Sequence, residues 1–177
     1  KSLDRLDEMI QDLLVLSEIE TGSAKMKKVN LDLGTLIQEA FEQLEEKASG
    51  KNINLQFKAE GGPWPAEADP VRMAQVIRNL VDNALRYAGP GARITVRSGM
   101  AAEGAFVEVE DDGPGIPPDR LPGLTLRRDL RADRDAGVHG LGLGVVAEIA
   151  ALFGATLAFH RPEGGQGQIV RCQFPKA

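Results

Sequence analysis

Three stretches of this 177-residue chain carry residue types that do chemistry, at spacings chemistry can use. The first is NLVDNALRYAG, Asn79 to Gly89. On a helix, Asn79, Asn83 and Arg86 share one face, since residues four and seven apart stack above one another. Asparagine prefers caps to helix interiors, yet no other asparagine occurs after residue 60. A solvated polar face explains one such residue; two of them aligned with an arginine favour a ligand role. Amide oxygens suit a hard cation such as Mg²⁺, and a guanidinium suits phosphate.

The second stretch is VEVEDDGPGIP, Val107 to Pro117. Its alternation puts Val107 and Val109 on one strand face and Glu108 and Glu110 on the other. Asp111 ends the strand, and Gly113-Pro114-Gly115 turns the chain. Glycine there lets a flat ring approach the main chain, although a plain strand-then-turn also explains it. The third stretch is GVHGLGLGVVAEIA, where Gly140 and Gly142 lead into an apolar helix. Bare N–H groups at such a helix start bind phosphate oxygens; glycines also permit tight helix–sheet packing. A dinucleotide fingerprint does not fit, because no strand directly precedes these glycines.

The elements that must hold these groups can be read from periodicity. The helix carrying the asparagines starts at Asp69-Pro70, a cap followed by a first-position proline, and ends near Tyr87 before Gly89-Pro90-Gly91. Its other face, Met73, Ile77, Leu80, Val81 and Ala84, is the core side. Asp32 caps a second helix reaching Ala48, with Leu33, Leu36, Ile37, Ala40, Phe41 and Leu44 apolar. Strands are expected at 25–29, 53–57, 93–98, 105–110, 156–160 and 168–174, a short extended piece after Trp64, and a helix at 141–153. Residues 1–21 form an amphipathic helix whose Leu3, Leu6, Ile10 and Leu13 follow coiled-coil spacing. The pattern implies an α+β fold: a two-layer sandwich, one mixed sheet covered by helices on one face, preceded by a long amphipathic helix.

Composition narrows the partners. The net charge is −5 with no basic stripe, which argues against nucleic acid and anionic membrane surfaces. One cysteine, Cys172, excludes an internal disulfide and fits a reducing compartment. No apolar run approaches a membrane span, and Lys1 does not open a signal peptide. Seven lysines and one arginine precede residue 60, against one lysine and twelve arginines after it. A junction of two origins or uneven usage in one gene both explain that swing.

Together the three stretches resemble the N, G1 and G2 boxes of the catalytic ATP-binding domain of bacterial sensor histidine kinases, in the same order. The resemblance covers roughly 25–177, and LLVLSEIETG extends it into 1–24, similar to the second helix of the dimerisation and phosphotransfer domain. It implies the sandwich shared with type II topoisomerases and heat-shock chaperone ATPases. On these positions it implies Asp111 receiving the adenine amino group, with Gly113, Gly115 and Ile116 beside the base. Asn83 would coordinate Mg²⁺ with Asn79 nearby, Arg86 would meet phosphate, and Tyr87 would pack on base or ribose. His139, Gly140, Leu141, Gly142 and Leu143 form the second loop, whose amides would face the phosphates of ATP. The implied partners are a histidine-bearing phosphotransfer domain, a response regulator, and a second copy through residues 1–21. The implied place is the cytoplasm, with the parent protein either free or anchored in the inner membrane.

Two features depart from the family pattern. The segment expected to form the lid, about 116–139, contains LPGLTLRRDLRADRDAG and no phenylalanine. Its Arg127, Arg128, Arg131 and Arg134 suit either a γ-phosphate or a solvated face countered by Asp129, Asp133 and Asp135. The phospho-accepting histidine is also missing: the only histidines, His139 and His160, lack the family's flanking acid. The resemblance therefore implies a kinase fragment that does not phosphorylate itself. A nucleotide-binding signalling module and a serine kinase on the same fold are the competing readings.

Overall fold

The computed structural model describes residues 2–59, 61–119, 121 and 141–176. The described elements run α1 (Ser2–Glu20), β1 (Val29–Asp32), α2 (Leu33–Ser49), β2 (Asn54–Ala59), β3 (Pro65–Ala68), α3 (Pro70–Tyr87), β4 (Arg93–Ala101), β5 (Gly104–Asp111), α4 (Leu141–Leu152), β6 (Thr156–His160) and β7 (Gln168–Gln173).

Both expected caps form. Asp32 accepts from the Thr35 amide and hydroxyl at 3.0 and 2.7 Å, and α2 begins. Asp69 Oδ1 accepts from the Val71 and Arg72 amides at 2.9 and 3.2 Å, ahead of Pro70 at the first helical position. Its other oxygen takes the Lys27 amide at 2.8 Å. Burial pushes the Asp69 pKa upward, but the Lys27, Arg72 and Val71 amides outweigh it and hold the carboxyl below its ordinary value.

That third bond explains one correction. The strand expected at 25–29 lies at Val29–Asp32 instead, paired antiparallel with β3 from Val29↔Ala68 to Asp32↔Pro65. Asp69 has already claimed the Lys27 amide, so ladder pairing starts beyond it. The other strand and helix boundaries expected from periodicity fall within about three residues of the observed ones, the ordinary end uncertainty.

The main sheet has the order β2-β4-β5-β7-β6, with β2 parallel to β4 and every other neighbour antiparallel. Register aligns Val96, Val109 and Val170 across three strands, all buried. The same face carries Ile94, Val107 and Cys172, packed in one core with Met73, Ile77, Leu80 and Val81 of α3 and Val146 and Ile149 of α4. Fully burying each such aliphatic side chain contributes roughly 1.5–3 kcal/mol. Burial pushes the Cys172 thiol up to about 12.

The opposite sheet face bears ions. Glu108 takes Arg97 at 3.1 Å and Arg171 at 2.6 Å, and Arg171 lies 4.1 Å above the Phe106 ring. Arg97 also pairs with Glu110. Helices cover one face and a charge network the other, as an α+β two-layer sandwich requires.

The first helix divides its apolar residues. Val15 and Leu16 are buried, with Ile19 packed against the same core, whereas Leu3, Leu6, Ile10, Leu13 and Leu14 are exposed. Arg72 of α3 pairs with Glu18 at 2.6 Å, and Lys47 of α2 bridges Glu8 at 3.4 Å and Asp82 at 2.7 Å.

Candidate functional site

Helix α3 positions both halves of the site. Its core face is buried, so its polar face must look outward, and there Asn79, Asn83 and Arg86 line one cleft of about 270 Å³. The start of α4 closes one wall with Gly142 and Leu143, and α1 closes another with Asp7, Glu8, Met9, Gln11 and Asp12. Asn79 Nδ2 donates to the Gly142 carbonyl at 3.4 Å and also hydrogen-bonds the Asp12 carboxyl. Among the described residues, no hydrogen bond or ion pair engages the side chain of Asn83 or Arg86. Asn79 thus braces three helices, while Asn83 and Arg86 remain available to a ligand.

Sequence reasoning missed the α1 acids. Asp12 reads there as one of several polar residues on a solvated face, yet burial pushes its carboxyl above the ordinary range. Hydrogen bonds from Asn79 and Gln75 and the charge of Arg78 partly offset that rise. Nothing in the helix's own pattern marks which polar side meets α3.

The second group sits at the C-terminal end of α3, in the turn after β5. Strand parity explains its burial. Val107, Val109 and Asp111 point to the same face, so Asp111 continues the core side and is 7% exposed. Its Oδ1 accepts from the Gly113 amide at 3.0 Å, the sole hydrogen-bond donor to this carboxyl among the described residues. Burial pushes its pKa upward; the Gly113 bond opposes this, and the charges of Asp112 and Glu110 add to it. Asp112 takes the Arg93 amide at 2.7 Å and fastens the turn to β4.

The glycines have a structural cause as well. A Cβ on Gly113 would stand 2.6 Å from the Ala88 Cα and 2.9 Å from Asp111 Oδ1. Gly115 has φ +74°, and a Cβ there would meet the Gly167 carbonyl at 2.6 Å. The turn is therefore glycine-rich because the protein packs against it on two sides. Ile116 is buried at its exit, and Tyr87, the last residue of α3, is 40% exposed. His139, Gly140 and the basic segment with Arg127, Arg128, Arg131 and Arg134 lie outside the described residues, as does the Leu141 side chain.

The donor set fits Mg²⁺. Among the described residues no three His, Cys, Asp or Glu side chains converge on a metal position. Mg²⁺ needs only one or two protein oxygens when phosphates and water supply the others, and the Asn83 amide in the cleft offers such an oxygen.

Residues 68–177 match the family described as histidine kinase-, DNA gyrase B- and HSP90-like ATPases. The chain is 30% identical over 167 residues to the alginate biosynthesis sensor protein KinB of Pseudomonas aeruginosa, covering 94% of this chain and 28% of that protein. It is 33% identical over 147 residues to the sensor histidine kinase CpxA of Escherichia coli strain K12, covering 80% of this chain and 31% of that one. The chain thus spans about a third of the length of these curated relatives. The catalytic domain of the histidine kinase ThkA superposes with a TM-score of 0.73 at 27% identity, over 85% of this chain and 97% of that domain. The histidine kinase AdeS of Acinetobacter baumannii shares the fold, with a TM-score of 0.76 over 98% of this chain and 79% of that one, at 22% identity. With the cleft, the buried Asp111 turn and these matches together, the chain belongs to the histidine kinase-, DNA gyrase B- and HSP90-like ATPase family, as a catalytic ATP-binding domain of the histidine-kinase type.

Proposed function

We propose that this chain is the ATP-binding catalytic part of a two-component sensor histidine kinase, passing the γ-phosphoryl group to a histidine outside residues 1–177. The observation that carries this reading is Asp111: a buried carboxyl with one protein donor among the described residues, in a turn built around it. Such a group retains acceptor capacity that an adenine amino group satisfies. On the outward face of α3, Asn83 would hold Mg²⁺ and Arg86 would meet the phosphates, with Asn79 bracing the wall and Tyr87 against base or ribose. Amides of Gly140, Leu141 and Gly142 would complete the phosphate end at the start of α4. Mg²⁺, when bound, neutralises the charge that develops on the transferring phosphoryl; the chain's own residues position and orient.

The same reading divides the chain into a partial phosphotransfer helix, 1–24, and a catalytic domain, 25–177 with a lid at about 116–139. The exposed stripe Leu3, Leu6, Ile10, Leu13 and Leu14 would pair with a second copy. A response regulator would receive the phosphoryl group from the parent kinase, whose catalytic part would lie in the cytoplasm. Among the described residues no helix is long and apolar enough to cross a membrane.

Isothermal titration with ADP, with and without Mg²⁺, tests the reading beside Asp111→Asn. Wild type should bind, and the variant should lose about 2 kcal/mol, roughly 30-fold. A folded wild type that ignores ADP would overturn it. Where ADP binds, acid-labile phosphate appearing on an added histidine domain in the presence of ATP tests the transfer itself.

A further inference from the structure

The inward alternation of β5 and β7 ends on a polar residue in each strand, at neighbouring positions. On β5 the core-facing series is Val107, Val109, Asp111; on β7 it is Cys172, Val170, Gln168. Asp111 and Gln168 are register partners at the end of the ladder, and Gln168 is 3% exposed. Two polar residues where packing calls for apolar ones mark a place where another demand prevails. The nucleotide reading accounts for Asp111 and leaves Gln168 without a task.

The hydrogen bonds of Gln168 show what it grips. Its Oε1 accepts from the Ile116 amide at 3.2 Å, and its Nε2 donates to the His160 and Ile169 carbonyls at 2.8 and 3.3 Å. The orientation is forced: a flipped amide would set N–H against N–H and oxygen against two carbonyls. Its main chain pairs with Asp111 at the start of the turn, and its side chain holds Ile116 at the end. One residue therefore pins both ends of the Asp111–Ile116 turn. Arg161 takes the other side of the Ile116 peptide, donating from Nη2 to its carbonyl at 3.1 Å. Backbone packing seals the arrangement, since a Cβ on Gly167 would stand 2.0 Å from the Asp111 carbonyl oxygen.

We propose that Gln168, assisted by Arg161, is the positioning residue of the base-binding turn: by clamping Ile116 it fixes the main chain against which the base lies, and so sets nucleobase selectivity. The proposal rests on the reading of Asp111 as the adenine acceptor. Leucine approximates the shape of glutamine and supplies none of its bonds, so Gln168→Leu frees the turn and leaves the Asp111 carboxyl in place. Arg161→Met loosens the same turn from an exposed position at less cost to the fold.

The test is displacement of a fluorescent ADP analogue by ADP and by GDP, on the full chain, for wild type, Gln168→Leu, Arg161→Met and Asp111→Asn. Gln168→Leu should weaken ADP about tenfold and narrow the ADP-over-GDP preference by a similar factor, and Arg161→Met should do both about threefold. Partial unfolding lowers both affinities alike and leaves the preference unchanged, so the ratio separates positioning from mere stability. If Gln168→Leu does not fold, Arg161→Met decides the matter. A folded variant with wild-type ADP affinity and preference overturns the proposal while Asp111→Asn still loses ADP. If wild type itself binds no ADP, or Asp111→Asn binds as wild type does, the nucleotide reading has failed and the proposal falls with it.

Discussion

Two neighbouring regions along α3, the turn after β5 and the cleft on the helix's outward face, are built in opposite ways. At the proposed base end the turn after β5 is closed on itself, with Ala88 beneath Gly113, Gly167 against Asp111, and Gln168 and Arg161 on Ile116. At the proposed phosphate end an open cleft is walled by three helices, and α1 contributes acids to it. The glycines show the difference. A Cβ on Gly113 would collide with the Ala88 main chain at 2.6 Å, while one on Gly142 would meet Asn79 at 3.9 Å, an ordinary contact. Among the described residues, packing demands glycine at the first position and leaves room for a side chain at the second. A glycine without a close neighbour among the described residues, at the start of a helix beside Asn79, is what the proposed phosphate contact would use.

Substituting both glycines is the strongest way to break that contrast. Gly113→Ala should destabilise the protein by about 2–3 kcal/mol, because two main chains must separate; denaturant unfolding measures it. Gly142→Ala should leave stability unchanged or raise it by about 0.5–1 kcal/mol, as alanine favours helix, yet weaken ATP binding about tenfold. Equal stability losses at the two positions would erase the distinction.

Asp111→Asn sharpens the comparison at the base end. The folded carboxyl titrates above its unfolded value of about 4. Between those values the folded state holds more protons than the unfolded chain, so this group's contribution to stability falls as pH rises through the window. Asparagine carries no charge to bury. The variant should therefore melt higher than wild type at neutral pH without nucleotide, with the gap closing as pH drops toward 4, although it binds ADP poorly. A variant that melts lower at pH 7 would mean the charge is better accommodated than its burial implies.

How much of this could be read in advance follows the same division. Helix α3, its Asp69 cap, its core face and the parity of β5 follow from local periodicity, and the structure agrees residue by residue. The base end belongs to those elements, so its acid was visible from the sequence, though the reason for its glycines was not: the main chains against them come from residues 88 and 167. Gln168 left a trace as a polar residue in an apolar series, but that trace means little until register sets it opposite Asp111. The phosphate end depends on how α1 meets α3. Asp12 looks like any exposed acid on an amphipathic helix, because the docking angle is a tertiary property without a local signature. The displaced β1 has the same origin, in a tertiary bond from Asp69 to Lys27.

The smallest expected effect concerns that docking. Asp12 hydrogen-bonds Asn79 inside the cleft that would receive phosphates, so its carboxylate and an incoming triphosphate repel one another across a partly desolvated space. Asp12→Asn keeps the shape and a hydrogen-bonding amide while removing the charge. ATP should bind about threefold tighter, ADP less so, and adenosine not at all differently, since only the phosphates feel the change. Added salt should shrink the gain for ATP, because part of the cleft is open to solvent. Equal gains for ATP and adenosine would move the effect to the base end, and the contrast between an open, charged region and a closed, tightly packed one would no longer hold.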